Sequence, residues 1–109
     1  MTDKELEALL RDSSVDTRLQ AARTLSGLES FDEDLFLLAL GDDDWRVRKE
    51  AIGCFMAQPN AVLQIDLIID QLHNPENAGL RNAAIEILIS LGPKISKAML
   101  ARLDSENAE

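Results

Sequence analysis

The stretch that decides the fold is "DDDWRVRKEAIGCF", residues 42–55, in which three acids and a tryptophan stand before a run with helical periodicity. Val47, Ala51, Ile52 and Phe55 are spaced so that they share one face of a helix, which predicts a buried apolar stripe. The charged residues around this stripe could form an active site or belong to a structural repeat. The rest of the chain distinguishes these two interpretations.

The pattern of residues 42–55 occurs three times in the chain. Its copies are "LRDSSVDTRLQAARTL" from Leu10, "LGDDDWRVRKEAIGCF" from Leu40 and "LHNPENAGLRNAAIEIL" from Leu72, the third with one extra residue in its turn. Three positions of the alignment hold similar residues: Arg18, Arg48 and Arg81; Ala21, Ala51 and Ala84; Leu25, Phe55 and Leu88. The arginines are 30 and 33 residues apart (48 − 18 and 81 − 48). Periods of about 20 to 50 residues are typical of helical solenoids.

Each copy predicts two helices, a short amphipathic first helix and a second helix that begins after a polar turn. The sequence therefore indicates an all-α fold, a right-handed α-solenoid with about seven helices at residues 3–11, 14–28, 31–41, 43–57, 60–73, 76–91 and 94–103. We expect a single domain over residues 1–109, with copies at about 1–29, 30–58 and 59–92 and a partial copy at about 93–109.

Residues that favour helix N-termini stand at the predicted starts: Thr2 with Glu5, Ser30 with Glu33, Ser13 and Ser14, Asp42 to Asp44, and Pro75. Gly92-Pro93 predicts that one helix stops and another begins. The last residues, "LDSENAE", match the beginning of a further second helix, which would leave residues 94–103 as an unpaired first helix. We expect that the chain is part of a longer array, or that another copy or a partner covers this edge.

The Asp-rich turn, the Trp or Val, the Val-Arg pair and the paired small residues of "DDDWRVRKEAIGCF" recur more weakly in "SSVDTRLQAARTL" and "NAGLRNAAIEIL". Together they resemble the bacterial HEAT-like repeats named after phycobilisome lyases, over nearly the whole chain. The resemblance implies the solenoid fold, while its functions range over bilin lyase subunits, alkylpurine DNA glycosylases, deoxyhypusine hydroxylases and signalling scaffolds. The His-Glu pairs that such hydroxylases use for iron have no counterpart in this sequence.

Charge and composition narrow the choice of partners. Eleven basic and 20 acidic side chains give a formal net charge of −9, which disfavours nucleic acid and an anionic membrane and favours a protein with a neutral or basic surface. A single cysteine, no secretory leader and no apolar run of about 18 residues lead us to expect a cytoplasmic protein. The sequence leaves the oligomeric state open.

Groups able to carry out catalysis are few. His73 stands near a helix C-terminus and Cys54 lies on a predicted buried helix, so nothing pairs them. The consecutive acids 42–44 lack the spacing of a calcium loop and suit a helix N-terminus. We interpret Arg48 as structural and Trp45 as packing between copies. We therefore predict a chain that is not an enzyme and has no cofactor or metal.

The predicted function is a protein-interaction scaffold that uses the concave face lined by the second helices. The candidate binding residues project away from the apolar stripe: Leu19, Gln20, Arg23, Arg46, Lys49, Glu50, Asn82 and Glu86. Leu19 would be an exposed apolar anchor there, and Gly53 in mid-helix suggests a close neighbour. Two alternatives stay open, an accessory subunit of an enzyme such as a bilin-lyase-like assembly and a spacer within a longer repeat protein.

Overall fold

The computed structural model describes the backbone of residues 2–107 and the side chains of residues 2–94. The α-helices are α1 (Asp3–Leu10), α2 (Val15–Arg23), α3 (Glu33–Leu40), α4 (Trp45–Met56), α5 (Ile65–Gln71) and α6 (Ala78–Asn107). A short 3-10 helix, Thr24–Gly27, extends α2, and another, Ala61–Gln64, leads into α5. All regular structure within residues 2–107 is helical, which confirms the predicted all-α class.

The helices pack as three pairs placed side by side. α1 lies against α2, α3 against α4 and α5 against α6, while α4 also packs between α2 and α6. The second helices of the three copies therefore form one continuous row. This arrangement confirms the α-solenoid that the repeat predicts, since each copy buries its apolar stripe against its neighbours.

The core contains the residues that the repeat alignment placed on the apolar stripe. Val47, Ala51 and Phe55 have no exposed surface, and Ile52 is half-buried. The Phe55 ring lies edge-on to the rings of Phe31 and Phe36, at centroid distances of 5.8 and 5.9 Å. Among the side chains of residues 2–94, none that is buried is polar or charged, so packing of aliphatic and aromatic side chains accounts for the core.

Three of the predicted N-caps, at Thr2, Ser14 and Asp44, are confirmed and one is wrong. Thr2 and Glu5 form the capping box of α1, and the Ser14 hydroxyl accepts from the backbone of α2. Ser30 does not cap α3, because the chain stays extended until Asp32, whose carboxylate accepts from the Leu35 N–H at 3.0 Å. A carboxylate at this position also interacts favourably with the helix dipole.

The start of α6 also differs from the prediction that Pro75 opens the helix. The side-chain oxygen of Asn74 accepts from the backbone N–H groups of Glu76 and Asn77 at 2.9 and 3.1 Å. These bonds hold residues 74–77 in a turn that contains Pro75. The helix begins only after Asn77, whose side-chain oxygen accepts from the Leu80 N–H at 2.9 Å.

The predicted helix stop at Gly92-Pro93 is wrong, because α6 continues through Pro93 to Asn107. The predicted helices 76–91 and 94–103 are therefore one helix, and the interpretation of residues 94–103 as an unpaired first helix is wrong as well. Proline removes the hydrogen bond to the carbonyl of Ile89. Ile89 and Pro93 both lie on an exposed side of α6, where water can satisfy that carbonyl.

Gly53 does not mark the close approach that its mid-helix position suggested. It lies exposed on α4, and a Cβ added there would meet no atom within 4 Å. Gly79, by contrast, has a close neighbour, since its added Cβ would lie 3.1 Å from Cδ and 3.2 Å from Nη1 of Arg48. Substitution by alanine should therefore be more favourable at Gly53 than at Gly79.

We expect Gly53→Ala to raise the free energy of unfolding by about 1 kcal/mol, because alanine loses less backbone entropy in a helix. Thermal unfolding followed by circular dichroism should show a midpoint about 4 to 8 °C higher. Gly79→Ala is the control, because the crowded Arg48 side chain would have to move and the gain should be smaller or reversed. A destabilising Gly53→Ala would contradict the open space seen beside α4.

Candidate protein-interaction face

A repeated arginine fixes each second helix to the turn before it. Arg18 Nη1 donates to the carbonyl of Asp12 at 2.8 Å, and Arg48 Nη1 donates to the carbonyl of Asp42 at 2.7 Å. Arg81 Nη1 donates to the carbonyl of Asn74, one residue further back because the third turn has an extra residue. The interpretation of Arg48 as structural is confirmed, and Arg18 and Arg81 make the same kind of contact.

Asp42 links the first copy to the second. Its carboxylate lies 2.9 Å from Arg18 Nε, and the two side chains are only 7% and 15% exposed. The same carboxylate accepts from the backbone N–H of Asp44 at 2.8 Å. This ion pair is therefore partly desolvated and holds neighbouring copies together through the turn.

Asp44 is the N-cap of α4 and also holds Arg46. The Asp44 carboxylate accepts from the Arg46 backbone N–H at 2.8 Å and from Arg46 Nε at 3.1 Å. The side-chain hydrogen bond with Arg46 lowers the pKa of Asp44 and raises the pKa of Arg46. Arg46, one of the predicted binding residues, therefore lies against its own helix start.

We call the outward surface of α2, α4 and α6 the second-helix face. It carries the predicted binding residues together with Trp45: Leu19, Gln20, Arg23, Trp45, Arg46, Lys49, Glu50, Asn82 and Glu86. Arg23 Nε lies 3.4 Å from Glu50 Oε1, and Lys49 Nζ forms an ion pair with Glu86. Charged side chains of this face thus bridge α2 to α4 and α4 to α6.

Leu19 is not the exposed anchor that the sequence suggested. It is half-buried and packs against the buried core residues. Gln20 and Asn82 are exposed, as a binding role requires. The eight predicted residues are therefore one half-buried leucine, five residues in ion pairs and two exposed polar residues.

Trp45 is the exposed aromatic of this face, and the interpretation of Trp45 as packing between copies is wrong. It is 62% exposed and stands at the first position of α4. A shallow groove of about 130 Å³ lies beside it between α4 and α6. The groove is lined by Trp45, Arg48, Lys49, Ile52, Asn82, Ala83 and Glu86. The aligned positions hold the smaller Val15 and Ala78, a size difference that could have indicated the exposure.

Two larger surface pockets lie among the loops. One, of about 540 Å³, is bordered by Phe31, Gln58 and Asn60. The other, of about 410 Å³, contains the Arg18–Asp42 pair, whose polar atoms already bond to each other and to the adjoining turns. Neither pocket brings His73 or Cys54 to its wall.

The residues considered for chemistry lie apart from one another. Cys54 is buried, with its Sγ 3.4 Å from the carbonyl of Ala22, whereas His73 is exposed after α5. The part of the chain that the structure describes contains no cluster of three or more His, Cys, Asp or Glu side chains able to hold a metal ion. The carboxylates of Asp42 and Asp44 instead accept hydrogen bonds from backbone N–H groups, and the backbone carbonyl of Asp43 accepts from Arg48.

The described residues include no single helix that is long and apolar enough to cross a membrane. Two consecutive helical segments, Trp45–Met56 and Ala61–Gln71, are long and apolar enough only when taken together. The chain bends by 120° between them.

Three stacked helix pairs with a repeated turn-binding arginine define the chain as an α-solenoid repeat protein. Its sequence matches the family model of HEAT repeats over residues 2–89, and the chain belongs to this family. No curated protein and no solved structure matches it.

Proposed function

We propose that this chain is a non-catalytic protein-interaction module that binds a partner protein on the second-helix face, with Trp45 as the central contact. The observation that carries the proposal is the 62% exposure of Trp45 beside the groove between α4 and α6. HEAT-repeat chains are commonly protein-interaction scaffolds. Exposed tryptophans are enriched among the residues that contribute most to protein binding.

The environment of Trp45 supports this role. Its ring stands next to the half-buried Ile52, so a partner would cover a continuous apolar area. Lys49 and Glu86 border the same groove and are paired with each other. A partner can therefore pack on the ring without removing an unpaired charge from water.

The net charge of −9 favours a partner with a neutral or basic surface. Within the second-helix face, the exposed ion pairs Arg23–Glu50 and Lys49–Glu86 join neighbouring helices. The accessory-subunit and spacer alternatives stay predictions of the sequence.

We expect Trp45→Ala to reduce partner capture from a lysate of the source organism by about 30-fold or more, a typical loss for a central interface tryptophan. Captured proteins are quantified by mass spectrometry against the wild type. Leu63→Ala is the matched control, because Leu63 is 76% exposed but lies on the 3-10 helix before α5. Equal capture by wild type and Trp45→Ala would rule out the proposed contact.

The captured partner, once purified, can be tested directly. Trp45 is the only tryptophan of the chain, so 5-fluorotryptophan labelling gives one ¹⁹F resonance that should shift on binding. The charge exchange Lys49→Glu/Glu86→Lys retains an ion pair across the groove while reversing its polarity. Weaker binding by this folded variant would show that the partner recognises the positions of these two charges. Unchanged binding would assign recognition to Trp45.

A further inference from the structure

The far side of α6 leaves apolar side chains exposed at positions that the first two copies cover. Aligned positions hold Ala22, which has no exposed surface, Ile52, which is half-buried, and Ile85, which is 46% exposed. In the same way Met56 is half-buried, whereas Ile89 is 73% exposed. The second helix of the next copy covers α2 and α4, but the helices packed against α6 belong to its own copy and to the copy before it. Among the described helices, the far side of α6 therefore has no cover.

Arg81 lies on this side of α6, one turn before Ile85. The aligned Arg18 pairs with Asp42 of the next copy, through Nε at 2.9 Å and Nη2 at 3.4 Å, and its side chain is only 15% exposed. Nη1 of Arg81 donates to the carbonyl of Asn74. No carboxylate of the described side chains forms an ion pair with Arg81. We call the surface formed by Arg81, Ile85, Leu88 and Ile89 the C-terminal edge.

The junctions between copies show what covering this arginine requires. Any element that covers Ile85 also removes water from Arg81, because the two side chains are neighbours on one helix face. A cation withdrawn from water is costly unless acceptors meet its N–H groups. At the first junction the carboxylate of Asp42 is the added acceptor, and at the second junction Arg48 donates to the carbonyls of both Asp42 and Asp43. Arg81 has one carbonyl among the described residues, so an element that covers the edge must bring an acceptor of its own.

A second copy of this chain is a poor match for the edge. A twofold contact between two edges would oppose two Arg81 guanidinium groups without an acid. Head-to-tail stacking would bring Asp12 of the first copy toward Arg81. It would also bury the isoleucines of the edge against Thr17, Gln20 and Thr24, which align with the residues that α4 packs against the preceding copy. The edge therefore fits a different protein better than it fits this chain.

We propose that the C-terminal edge binds a partner protein through a helix that begins with an acidic turn. The carboxylate of that turn pairs with Arg81, and the apolar face of the helix covers Ile85, Leu88 and Ile89. The contact of α4 with α2 is the internal example, because the turn before α4 supplies Asp42 to Arg18 while α4 itself covers α2. The requirement concerns one carboxylate, so the rest of the partner surface can be neutral or basic, as the net charge of −9 favours.

Photo-crosslinking identifies the occupant of the edge. In the full chain p-benzoylphenylalanine replaces Ile89, which is 73% exposed, and the chain is irradiated in a lysate of the source organism. We expect an adduct with a partner protein that Arg81→Glu reduces by about tenfold or more, because a desolvated charge pair is lost. Ile85→Ser should also reduce the adduct, with unchanged helical circular dichroism. Arg11→Glu is the matched control, since it makes the same charge change at a side chain that is 63% exposed on the first copy, and it should retain the adduct.

The carboxylate is tested with Arg81→Lys, which keeps the positive charge and adds a reactive amine. A carbodiimide joins this amine to a carboxylate in contact with it, forming an amide with loss of water. Mass spectrometry of the linked peptides locates the amide. We expect it at an Asp or Glu in the first turn of a helix of the partner protein.

Four results would overturn the proposal. An adduct at twice the mass of 12.0 kDa would make a second copy the occupant, and no adduct at all would leave the edge without a partner protein. An adduct of equal yield in Arg81→Glu would remove the charge pair from the contact. An amide to a residue outside a helix start would contradict the acidic turn. Trp45→Ala should leave the adduct unchanged, so these results are separate from any failure of the second-helix face.

Discussion

Ala51→Asp should abolish cooperative folding of the chain. Ala51 has no exposed surface and lies on the face of α4 that carries Val47 and Phe55. A carboxylate there would be buried without a partner, at an expected cost of about 4 kcal/mol or more. This is a large part of the about 5 to 15 kcal/mol that stabilises a typical domain. Thermal unfolding by circular dichroism should show a lost or strongly lowered transition.

Ala78→Asp is the matched control for this substitution. It adds the same charge to an exposed alanine at the first position of α6, where the helix dipole favours an acid. We expect its unfolding midpoint to stay close to that of the wild type. If Ala51→Asp unfolds at the same temperature as Ala78→Asp, the assigned core register is wrong.

Arg18→Met should lower the free energy of unfolding by about 3 kcal/mol, because it leaves the Asp42 carboxylate partly buried without its cation. Methionine keeps an unbranched apolar stem, so the packing of the Arg18 side chain is largely retained. The carbonyl of Asp12 also loses its donor. Chemical denaturation with urea, analysed as a two-state transition, measures the loss.

The double variant Arg18→Met/Asp42→Asn separates the unpaired charge from the lost hydrogen bonds. The asparagine oxygen can still accept from the Asp44 N–H, which lies 2.8 Å from the Asp42 carboxylate, so the turn should persist and stability should partly recover. Arg46→Met is the exposed control, since the Arg46 side chain is 49% exposed in its pair with Asp44, and its effect should be much smaller. A double variant no more stable than Arg18→Met would falsify the buried-charge explanation.

The repeat and the main core could be predicted from the sequence because both depend on periodic positions. The spacing of Arg18, Arg48 and Arg81 placed each arginine next to its own turn, whatever the exact packing of neighbouring copies. Helical spacing likewise identified Val47, Ala51 and Phe55 as buried. Such periodic positions are decided within one helix pair.

Helix ends were harder to predict because alternative caps compete within a few residues. Both Ser30 and Asp32 can accept from a helix N-terminus, and only the path of the chain into α3 selects Asp32. Pro93 has a strong tendency to end a helix, yet the structure continues α6 where the proline and Ile89 are exposed. The cost of one missing hydrogen bond depends on that solvent exposure.

The binding face depended most on tertiary structure. The sequence placed Lys49, Glu50, Arg23 and Glu86 on outward positions, but it did not show that they pair with one another between helices. The alignment gives Trp45 the same place in the repeat as the half-buried Val15, yet Trp45 is 62% exposed. These properties depend on which helices lie next to each other.

The sequence by itself determined the all-α repeat, its register and the arginine that fixes each turn, because these depend on contacts within about 35 residues of chain. Only the tertiary structure decided which side chains stay exposed, namely Trp45 on the second-helix face and Ile85 with Ile89 on α6. Exposure is set by the neighbouring copy that covers a position. Equivalent residues in the alignment therefore have different surroundings, from the fully buried Ala22 to the exposed Ile85.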